Sequence, residues 1–266
     1  MATALITGGT AGIGLVFARH LARQGYDLVL VARDRERLEE TARDLGSTHG
    51  RSVEVLTADL SDLGDVERVA ARIADVDSPI ELLVNNAGFG IHAPLTGEDL
   101  TPHTRALDVM ARSVLLLGGA AGRAMAARGG GMIINVSSTA GFMALGGYSA
   151  IKAWVTAYSE SLSVELRGSG VRVTALCPGW VRTEFHERAG INTESIPAKL
   201  WIDADLVVAT ALRDVRRGAV VSIPSWRFRF LMWCVRHLPR RAVRAISAKI
   251  SSRRSPAMRQ ESDHPA

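Results

Sequence analysis

The segment Thr7-Gly8-Gly9-Thr10-Ala11-Gly12-Ile13-Gly14 joins a short apolar run to a stretch with helical periodicity. Glycine permits the left-handed and close-approach conformations that a tight strand-to-helix turn needs. The first N–H groups of a helix also attract anions such as phosphate. A purely structural turn could need the same glycines, and their spacing differs from G-x-G-x-x-G. From its position we interpret the turn as a phosphate-binding site whose candidate residues are Gly8, Thr10, Gly12, Ile13 and Gly14.

Apolar, β-branched runs alternate with amphipathic helical segments along the chain, which predicts parallel βαβ units. Strands are predicted at Ala4–Thr7, Asp27–Ala32, Val53–Thr57, Ile80–Asn85, Met132–Val136, Val171–Leu176 and Ala219–Ile223. Helices are predicted over residues 13–24, 34–45, 62–75, 103–128, 148–167 and 203–216. Nearly continuous apolar strands indicate a sheet that is covered on both faces. The expected fold is α/β, with one Rossmann-like, doubly wound parallel sheet over residues 1–225.

The net charge of +5 is concentrated at the C-terminus. Residues 226–266 hold ten Arg/Lys and two acids, a charge of +8, so residues 1–225 carry −3. This basic amphipathic extension suits either a helix in a membrane interface or a cover over the substrate pocket. Nucleic acid is not expected, because no base-reading motif accompanies the charge.

Cellular location is inferred from what the sequence does not show. We find no basic signal peptide and no apolar run of about 18 residues, and we expect no spanning helix. Cys177 and Cys234 are interpreted as buried thiols, which suits a reducing cytoplasm. No metal site is expected, since His92, His103 and His186 lack ligand spacing and are interpreted as surface residues. The expected location is cytoplasmic, with membrane association possible through the basic extension.

The second predicted strand is followed by Arg33, roughly 20 residues beyond the glycines. An acid at this position suits the ribose 2′-hydroxyl of NAD, whereas an arginine suits the 2′-phosphate of NADP. Arg33 could instead be a solvated residue that opens the next helix. The charge favours NADP(H) over NAD(H) as the cofactor.

Tyr148 and Lys152 stand four residues apart, so they share one face of a predicted helix. A free tyrosine has a pKa of about 10. Lowering that pKa to about 7, where the group can act as a base, needs roughly 4 kcal/mol of differential stabilisation of the phenolate. A neighbouring ammonium and a positive nicotinamide both favour the phenolate. Ser138 precedes this helix, and its hydroxyl can bond a substrate oxygen. The alternative is a surface pair with no catalytic role.

Together these motifs resemble the short-chain dehydrogenase/reductase family over about residues 3–225. The matching pieces, in chain order, are Thr7–Gly14, Asp59-Leu60, Asn85-Asn86-Ala87-Gly88, Ser137-Ser138, Tyr148/Lys152, and Pro178-Gly179 with Thr183. The resemblance implies a sheet order of 3-2-1-4-5-6-7. It implies that Asp59 contacts the adenine, that Leu60 beside it belongs to the cofactor site, and that Asn86, Ala87 and Gly88 support the adenosine side. Lys152 would bind the nicotinamide ribose, and Pro178, Gly179 and Thr183 would hold the nicotinamide.

Two departures from the family pattern stand out. Ser138 and Tyr148 are ten residues apart, whereas many members have a gap of thirteen. The family's proton-relay asparagine falls at Met110, which cannot make amide hydrogen bonds and suits core packing. Met110 puts the supply of protons in question but not the binding of a cofactor.

The candidate substrate pocket is apolar and aromatic, which suits a hydrophobic ketone better than a sugar. Its residues are Phe142, Met143, Trp180 and Phe185, with His186 and Trp154 nearby. Some of these side chains could simply belong to the core. The sequence therefore predicts an NADPH-dependent ketoreductase with Ser138, Tyr148 and Lys152 as catalytic residues, acting on apolar or acyl-chain ketones of lipid metabolism. The alternatives are an NAD(P)-dependent alcohol or hydroxysteroid dehydrogenase that runs oxidatively, or a cofactor-binding sensor without catalysis. The resemblance to the family implies a homo-dimer or tetramer through helices 103–128 and 148–167.

Overall fold

A computed structural model describes residues 2–91, 93–182 and 200–252. The strands are β1 Thr3–Thr7, β2 Asp27–Ala32, β3 Val53–Thr57, β4 Leu82–Asn85, β5 Gly131–Val136, β6 Val171–Leu176, β7 Trp180–Val181, β8 Trp201–Ile202 and β9 Val221–Ser222. The helices are α1 Gly12–Arg23, α2 Arg35–His49, α3 Leu63–Ala74, α4 Thr101–Leu107, α5 Ser113–Ala127, α6 Gly147–Glu165, α7 Ala204–Arg216, α8 Trp226–His237 and α9 Arg240–Ser252.

Seven strands form one parallel sheet in the order β3-β2-β1-β4-β5-β6-β9. β7 and β8 form a separate two-stranded sheet, so β9 is the seventh strand of the main sheet. The predicted fold class and strand order are therefore confirmed. Parallel strands end at the same edge, so the loops after β1, β4, β5 and β6 converge there.

Apolar side chains alternate across the sheet and cover it on both faces. Ile6 belongs to the core with α1, α2 and α7, whereas Leu5 belongs to the core with α3, α5 and α6. Burial on both faces explains why the central strands are apolar almost throughout. A central strand that alternated polar and apolar residues would bury polar side chains without hydrogen-bond partners in one of these two cores.

The helix bounds follow the turn chemistry closely. Gly25 after α1 and Gly50 after α2 have φ of +88° and +62°, which favours glycine at both helix ends. Asp34 caps α2 by accepting a hydrogen bond from the Arg37 amide at 3.0 Å. The predicted helix over 103–128 is two α-helices, α4 and α5, joined by a π-helical turn at Asp108–Arg112.

The helical stretch Thr101–Ala127 is long and apolar enough by composition to cross a membrane. Of its most apolar window, 61% is buried inside the protein. The stretch lies against α3 and the sheet, and its buried side chains belong to the core with Leu5. Burial of this kind is typical of a core helix in a globular domain.

The C-terminal extension folds onto the body as α8 and α9. Phe228 lies on Gly179: a Cβ built at that glycine would overlap the Phe228 ring. Met232, Val235 and Val243 form a small core with Phe142 and Met143. The Ser247 hydroxyl accepts a hydrogen bond from the Ala144 amide at 3.1 Å. The extension therefore contacts the loops after β5 and β6.

Candidate active site

The glycine-rich turn is held by the segment that follows β4. The Thr7 Oγ1 atom accepts hydrogen bonds from the amides of Asn86 at 2.9 Å and Ala87 at 3.1 Å. The Asn86 side-chain amide donates to the carbonyl oxygens of Thr7 at 2.9 Å and Gly8 at 3.2 Å. These bonds explain why an Asn-Asn-Ala-Gly segment after β4 accompanies a glycine-rich turn after β1.

The turn leaves a cradle that suits a phosphate group. Gly8 and Gly12 have φ of +67° and +52°, and a Cβ on Gly14 would overlap the Gly8 carbonyl oxygen. No side chain of the described residues caps the N-terminus of α1, which begins after Ala11. Its first N–H groups thus remain available for phosphate oxygens. Thr10 and Ile13 lie in the same turn, with Thr10 buried and Ile13 against the core.

Two arginines converge on Asp59 at the end of β3. The Asp59 carboxylate lies 3.9 Å from Arg33 and 3.2 Å from Arg105, and it accepts hydrogen bonds from the Ser61 amide and hydroxyl. Burial alone would raise the pKa of Asp59, but the Ser61 hydrogen bonds and both arginines lower it below its usual value. The carboxylate is therefore ionised, and Arg33, which is 64% exposed, lies at the outer limit of ion-pair distance from it. Leu60 is buried in the core.

Ser138 and Tyr148 are brought together at the carboxyl edge of the sheet. Their side chains are hydrogen-bonded, and the Ser138 hydroxyl accepts from the Ala140 amide at 3.1 Å. Burial raises the pKa of Tyr148 to about 12, and the Ser138 hydrogen bond opposes the increase. This direction is opposite to the fall that the Tyr-Lys spacing predicted. The Tyr148 phenol therefore holds its proton at neutral pH.

Lys152 is buried, and its ammonium donates to the Val136 carbonyl oxygen at 2.8 Å. Its Nζ lies 5.7 Å from the centroid of the Tyr148 ring. Burial lowers the pKa of Lys152 to about 8.

The short loop between Ser138 and Tyr148 is a 3₁₀ turn at Thr139–Phe142. A Cβ on Gly141 would lie 2.8 Å from backbone atoms of Lys152 and Ala153, so the turn lies directly on α6. The Thr139 amide and hydroxyl donate to the Pro178 carbonyl oxygen at 3.0 and 3.2 Å. A gap of ten residues is thus compatible with a Ser–Tyr pair.

Met110 is 1% exposed and lies in the π-helical turn. A Cβ on Gly88 would meet its sulfur at 2.9 Å and the Lys152 Nζ at 3.7 Å. Met110 therefore lies beside Gly88, on the Lys152 side of the site. As the sequence indicated, its thioether belongs to the core.

The predicted pocket residues divide among three surroundings. Phe142 and Met143 pack against α8 and α9, whereas Trp180 packs against the core and lies 6.3 Å from the Trp201 ring. Trp154 is 38% exposed and stacks on Tyr158, so it faces the surface. Thr183, Phe185 and His186 lie outside the described residues, as does His92.

Two smaller expectations are corrected. His103 is 8% exposed, because its ring lies against Gly147 and its Nε2 is 3.2 Å from the Pro94 carbonyl oxygen. It is not a surface residue. Cys234 is only half-buried, whereas Cys177 is buried as expected. Within the described ranges no group of three His, Cys, Asp or Glu side chains could hold a metal ion.

Several contacts within the site were not predicted from the sequence. Arg105 reaches Asp59 from α4, and the Ser137 hydroxyl donates to the Lys152 carbonyl oxygen at 2.6 Å. Phe228 reaches Gly179 from α8. Ser137 belonged to a recognised motif, but its partner could not be inferred. Arg105 and Phe228 gave no local signal, since each is distant in sequence from the loop that it contacts.

Residues 2–193 match the family described as short chain dehydrogenase. The chain belongs to the short-chain dehydrogenase/reductase family. It is 35% identical over 210 residues to galactitol 2-dehydrogenase (L-tagatose-forming) of Cereibacter sphaeroides, covering 76% of this chain and 79% of that one. A short-chain dehydrogenase from Sphingobium yanoikuyae, solved in complex with NADPH, superposes with a TM-score of 0.79 and 32% identity over 100% and 99% of the two chains.

A bulky-bulky ketone specific alcohol dehydrogenase from Comamonas testosteroni is similar too, with a TM-score of 0.76 and 30% identity over 100% and 99% of the chains. This short-chain dehydrogenase/reductase is therefore an NAD(P)-dependent oxidoreductase that acts on a CH–OH/C=O pair.

Proposed function

We propose that the protein reduces apolar ketones to secondary alcohols with NADPH. One observation carries the proposal: a hydrogen-bonded Ser138–Tyr148 pair lies beside a buried Lys152, at the sheet edge that also carries the glycine cradle. A site with a donor hydroxyl, a protonated phenol and an anion cradle suits carbonyl reduction. The likeness to an NADPH-bound dehydrogenase and to a ketone-specific one supports this choice.

Each side chain has a role in this proposal. When bound, the nicotinamide cofactor supplies the hydride that is added to the carbonyl carbon. Tyr148 gives its proton to the carbonyl oxygen, and the Ser138 hydroxyl holds that oxygen. Lys152 holds the nicotinamide ribose from its position on the Val136 carbonyl oxygen. With a pKa raised to about 12, the Tyr148 phenol carries at neutral pH the proton that ketone reduction consumes.

Arg33→Ala is expected to weaken NADPH binding by about 10- to 100-fold and to leave NADH binding nearly unchanged. Only NADPH carries the 2′-phosphate, and Arg33 lies at the sheet edge where this phosphate would lie, 3.9 Å from the Asp59 carboxylate. Titration of each cofactor against protein fluorescence measures the effect. Arg35→Ala is the matched control, because Arg35 is 77% exposed and pairs with Glu39. Equal losses for both cofactors in Arg33→Ala would show that Arg33 does not bind the phosphate.

For the substrate, kcat/KM is expected to rise with chain length in a series of alkyl ketones, by about fourfold for each CH₂ group. The reason is that Phe142 and Met143, which follow Ser138 in the chain, pack with α8 and α9 into an apolar cluster that would border the substrate. NADPH absorbance with purified protein measures the series, and polyhydroxylated ketones of matched length are the controls. A preference for the hydroxylated ketones would contradict an apolar or acyl-chain substrate.

A cofactor-binding sensor is the second candidate, and Met110 favours it. A thioether beside Lys152 cannot continue an amide-based proton relay. Such a sensor would bind NADPH and show no turnover of any ketone in the series. The presence of Ser138, Tyr148 and Lys152 together in one site opposes this alternative, because a sensor needs no proton donor.

We also propose that the protein is a homo-dimer or tetramer through the faces of α4, α5 and α6. The large apolar side chains exposed on these helices are Leu107, Leu115, Trp154 and Val164. Exposed large apolar side chains on neighbouring helices suit an interface between subunits. Light scattering that finds only a monomer at micromolar concentration would contradict this arrangement.

A further inference from the structure

Helix α8 has two apolar faces, and the protein covers only one of them. The covered face holds Phe228, Met232 and Val235, which are 6%, 4% and 8% exposed. The opposite face holds Trp226, Phe230 and Trp233, which are 67%, 64% and 58% exposed. Residues 226, 230 and 233 follow the i, i+4, i+7 spacing of one helix face. We name these three side chains the aromatic stripe.

Two rings of the aromatic stripe contact each other, and one of them also contacts His237. The Phe230 and Trp233 rings stack with centroids 6.3 Å apart, and Trp233 lies 4.5 Å from the His237 ring. The apolar exposure extends beyond the stripe to the half-exposed Leu231, Leu238 and Ile246. Large exposed apolar patches are rare on soluble monomeric proteins, and where they occur they typically mark a site of interaction with a partner or a membrane.

The charge around the aromatic stripe has one sign. Residues 226–252 contain seven Arg/Lys and no Asp or Glu. Arg241, Arg244 and Lys249 lie on the exposed side of α9, opposite the buried Val243 and Ser247. Cations flanking exposed tryptophan are typical of helices that lie in the headgroup region of a bilayer.

We propose that α8 and α9 form a docking surface for an anionic lipid bilayer. The stripe would enter the interface between headgroups and acyl chains, and the arginines would contact the anionic headgroups. A second copy is a poorer occupant, because a symmetric contact would place seven cations against seven. Nucleic acid is also poorer, because it offers no apolar region for Leu231, Leu238 and Ile246. The proposal does not depend on the substrate, since it uses only the side of α8 away from Gly179.

Co-sedimentation of the full chain with vesicles tests the proposal. The protein is expected to sediment with phosphatidylcholine vesicles that contain about 30% phosphatidylserine, and far less with pure phosphatidylcholine. Raising the salt from about 0.01 M to about 1 M shortens the screening length from about 30 Å to about 3 Å and should release the protein. Failure to sediment with the anionic vesicles at low salt would overturn the proposal.

Replacing arginines of α9 tests whether vesicle binding depends on this surface or only on the overall positive charge of the protein. The triple variant Arg240→Gln, Arg241→Gln, Arg244→Gln is expected to weaken partitioning to anionic vesicles by about 10- to 100-fold. A matched triple removes the same charge from exposed arginines of other elements: Arg19→Gln, Arg43→Gln and Arg167→Gln. This control is expected to bind within about twofold of the parent. Equal losses in both triples would overturn the proposal.

Removing the aromatic stripe tests its apolar part. Trp226→Gln, Phe230→Gln, Trp233→Gln is expected to reduce partitioning at least tenfold, with thermal unfolding unchanged because these side chains are already in water. The matched control replaces exposed apolar residues elsewhere: Leu63→Gln, Val76→Gln and Leu206→Gln. If the stripe variant binds vesicles like the parent, or if the full chain binds double-stranded DNA more tightly than vesicles, the assignment to a bilayer is wrong.

Tryptophan quenching by brominated lipid reports depth directly. The five tryptophans include Trp226 and Trp233, and vesicle-bound protein should be quenched through these two. The variant Trp226→Phe, Trp233→Phe keeps the aromatic face, so it is expected to bind vesicles and to lose the quenching. Persistent quenching in this bound variant would place a different surface in the bilayer.

Discussion

Tyr148→Phe is expected to lower ketone turnover by about 10²- to 10⁴-fold and to leave NADPH binding nearly intact. The change removes one hydroxyl, which is hydrogen-bonded to Ser138 and would supply the proton to the substrate oxygen. The ring stays in place beside Lys152, so the shape of the site is kept. Steady-state rates with saturating NADPH, together with cofactor titration, measure both properties.

The matched control is Tyr158→Phe, the same change ten residues further along α6. The Tyr158 hydroxyl donates to the Leu115 carbonyl oxygen at 3.2 Å on the outer side of the helix. Its loss is expected to cost about 1 kcal/mol of stability and to leave turnover within a few fold. Near-normal turnover in Tyr148→Phe would refute the assignment of the proton donor, and weakened NADPH binding would indicate that the tyrosine mainly holds the cofactor.

Gly14→Ala is expected to weaken NADPH binding on the order of 100-fold and to lower the free energy of unfolding by about 1–3 kcal/mol. A Cβ at this position overlaps the Gly8 carbonyl oxygen and lies 2.5 Å from the Asn86 side-chain nitrogen. The Gly8 backbone and the Asn86 side chain cannot both move away from the new methyl group, because the Asn86 amide donates hydrogen bonds to the carbonyl oxygens of Thr7 and Gly8. The turn must therefore open. Cofactor titration and thermal unfolding give the two quantities separately.

Gly46→Ala is the control for this substitution. Gly46 lies inside α2, where a Cβ would lie 3.4 Å from the Arg51 carbonyl oxygen. Alanine in a helix is expected to stabilise by about 0.5–1 kcal/mol and to leave the cofactor unaffected. A Gly14→Ala protein that binds NADPH like its parent would show that the close approach of Gly8 and Gly14 is not needed for the cradle.

The differences between the predicted and observed strands have local causes. The strand predicted from Ile80 begins at Leu82, although Ile80 is fully buried. The Ile80 carbonyl oxygen instead accepts a hydrogen bond from the Arg128 guanidinium. Similarly, the last strand shortens to Val221–Ser222 because the Ala219 carbonyl oxygen accepts from the Thr174 hydroxyl at 2.6 Å. Apolar periodicity reports burial, whereas a strand also needs backbone partners.

The sequence by itself determined the sheet and the main parts of the candidate site. Apolar runs and glycine turns are local properties, and parallel topology then brings the loops after β1, β4, β5 and β6 to one edge. The resemblance to the family then implied that Ser138, Tyr148 and Lys152 share one site at this edge. The four-residue spacing of Tyr148 and Lys152 likewise follows from helix geometry alone.

Only the tertiary structure decided the electrostatics of the site and the place of the extension. The direction of the Tyr148 pKa depends on burial of the phenol, which outweighs its hydrogen bond with Ser138, and spacing reveals neither of these. The sequence left the extension as either a membrane helix or a cover. The structure shows one apolar face of α8 against the protein and the other in solvent. A helix pattern reports that faces are apolar, but which face is covered depends on contacts between residues far apart in the chain.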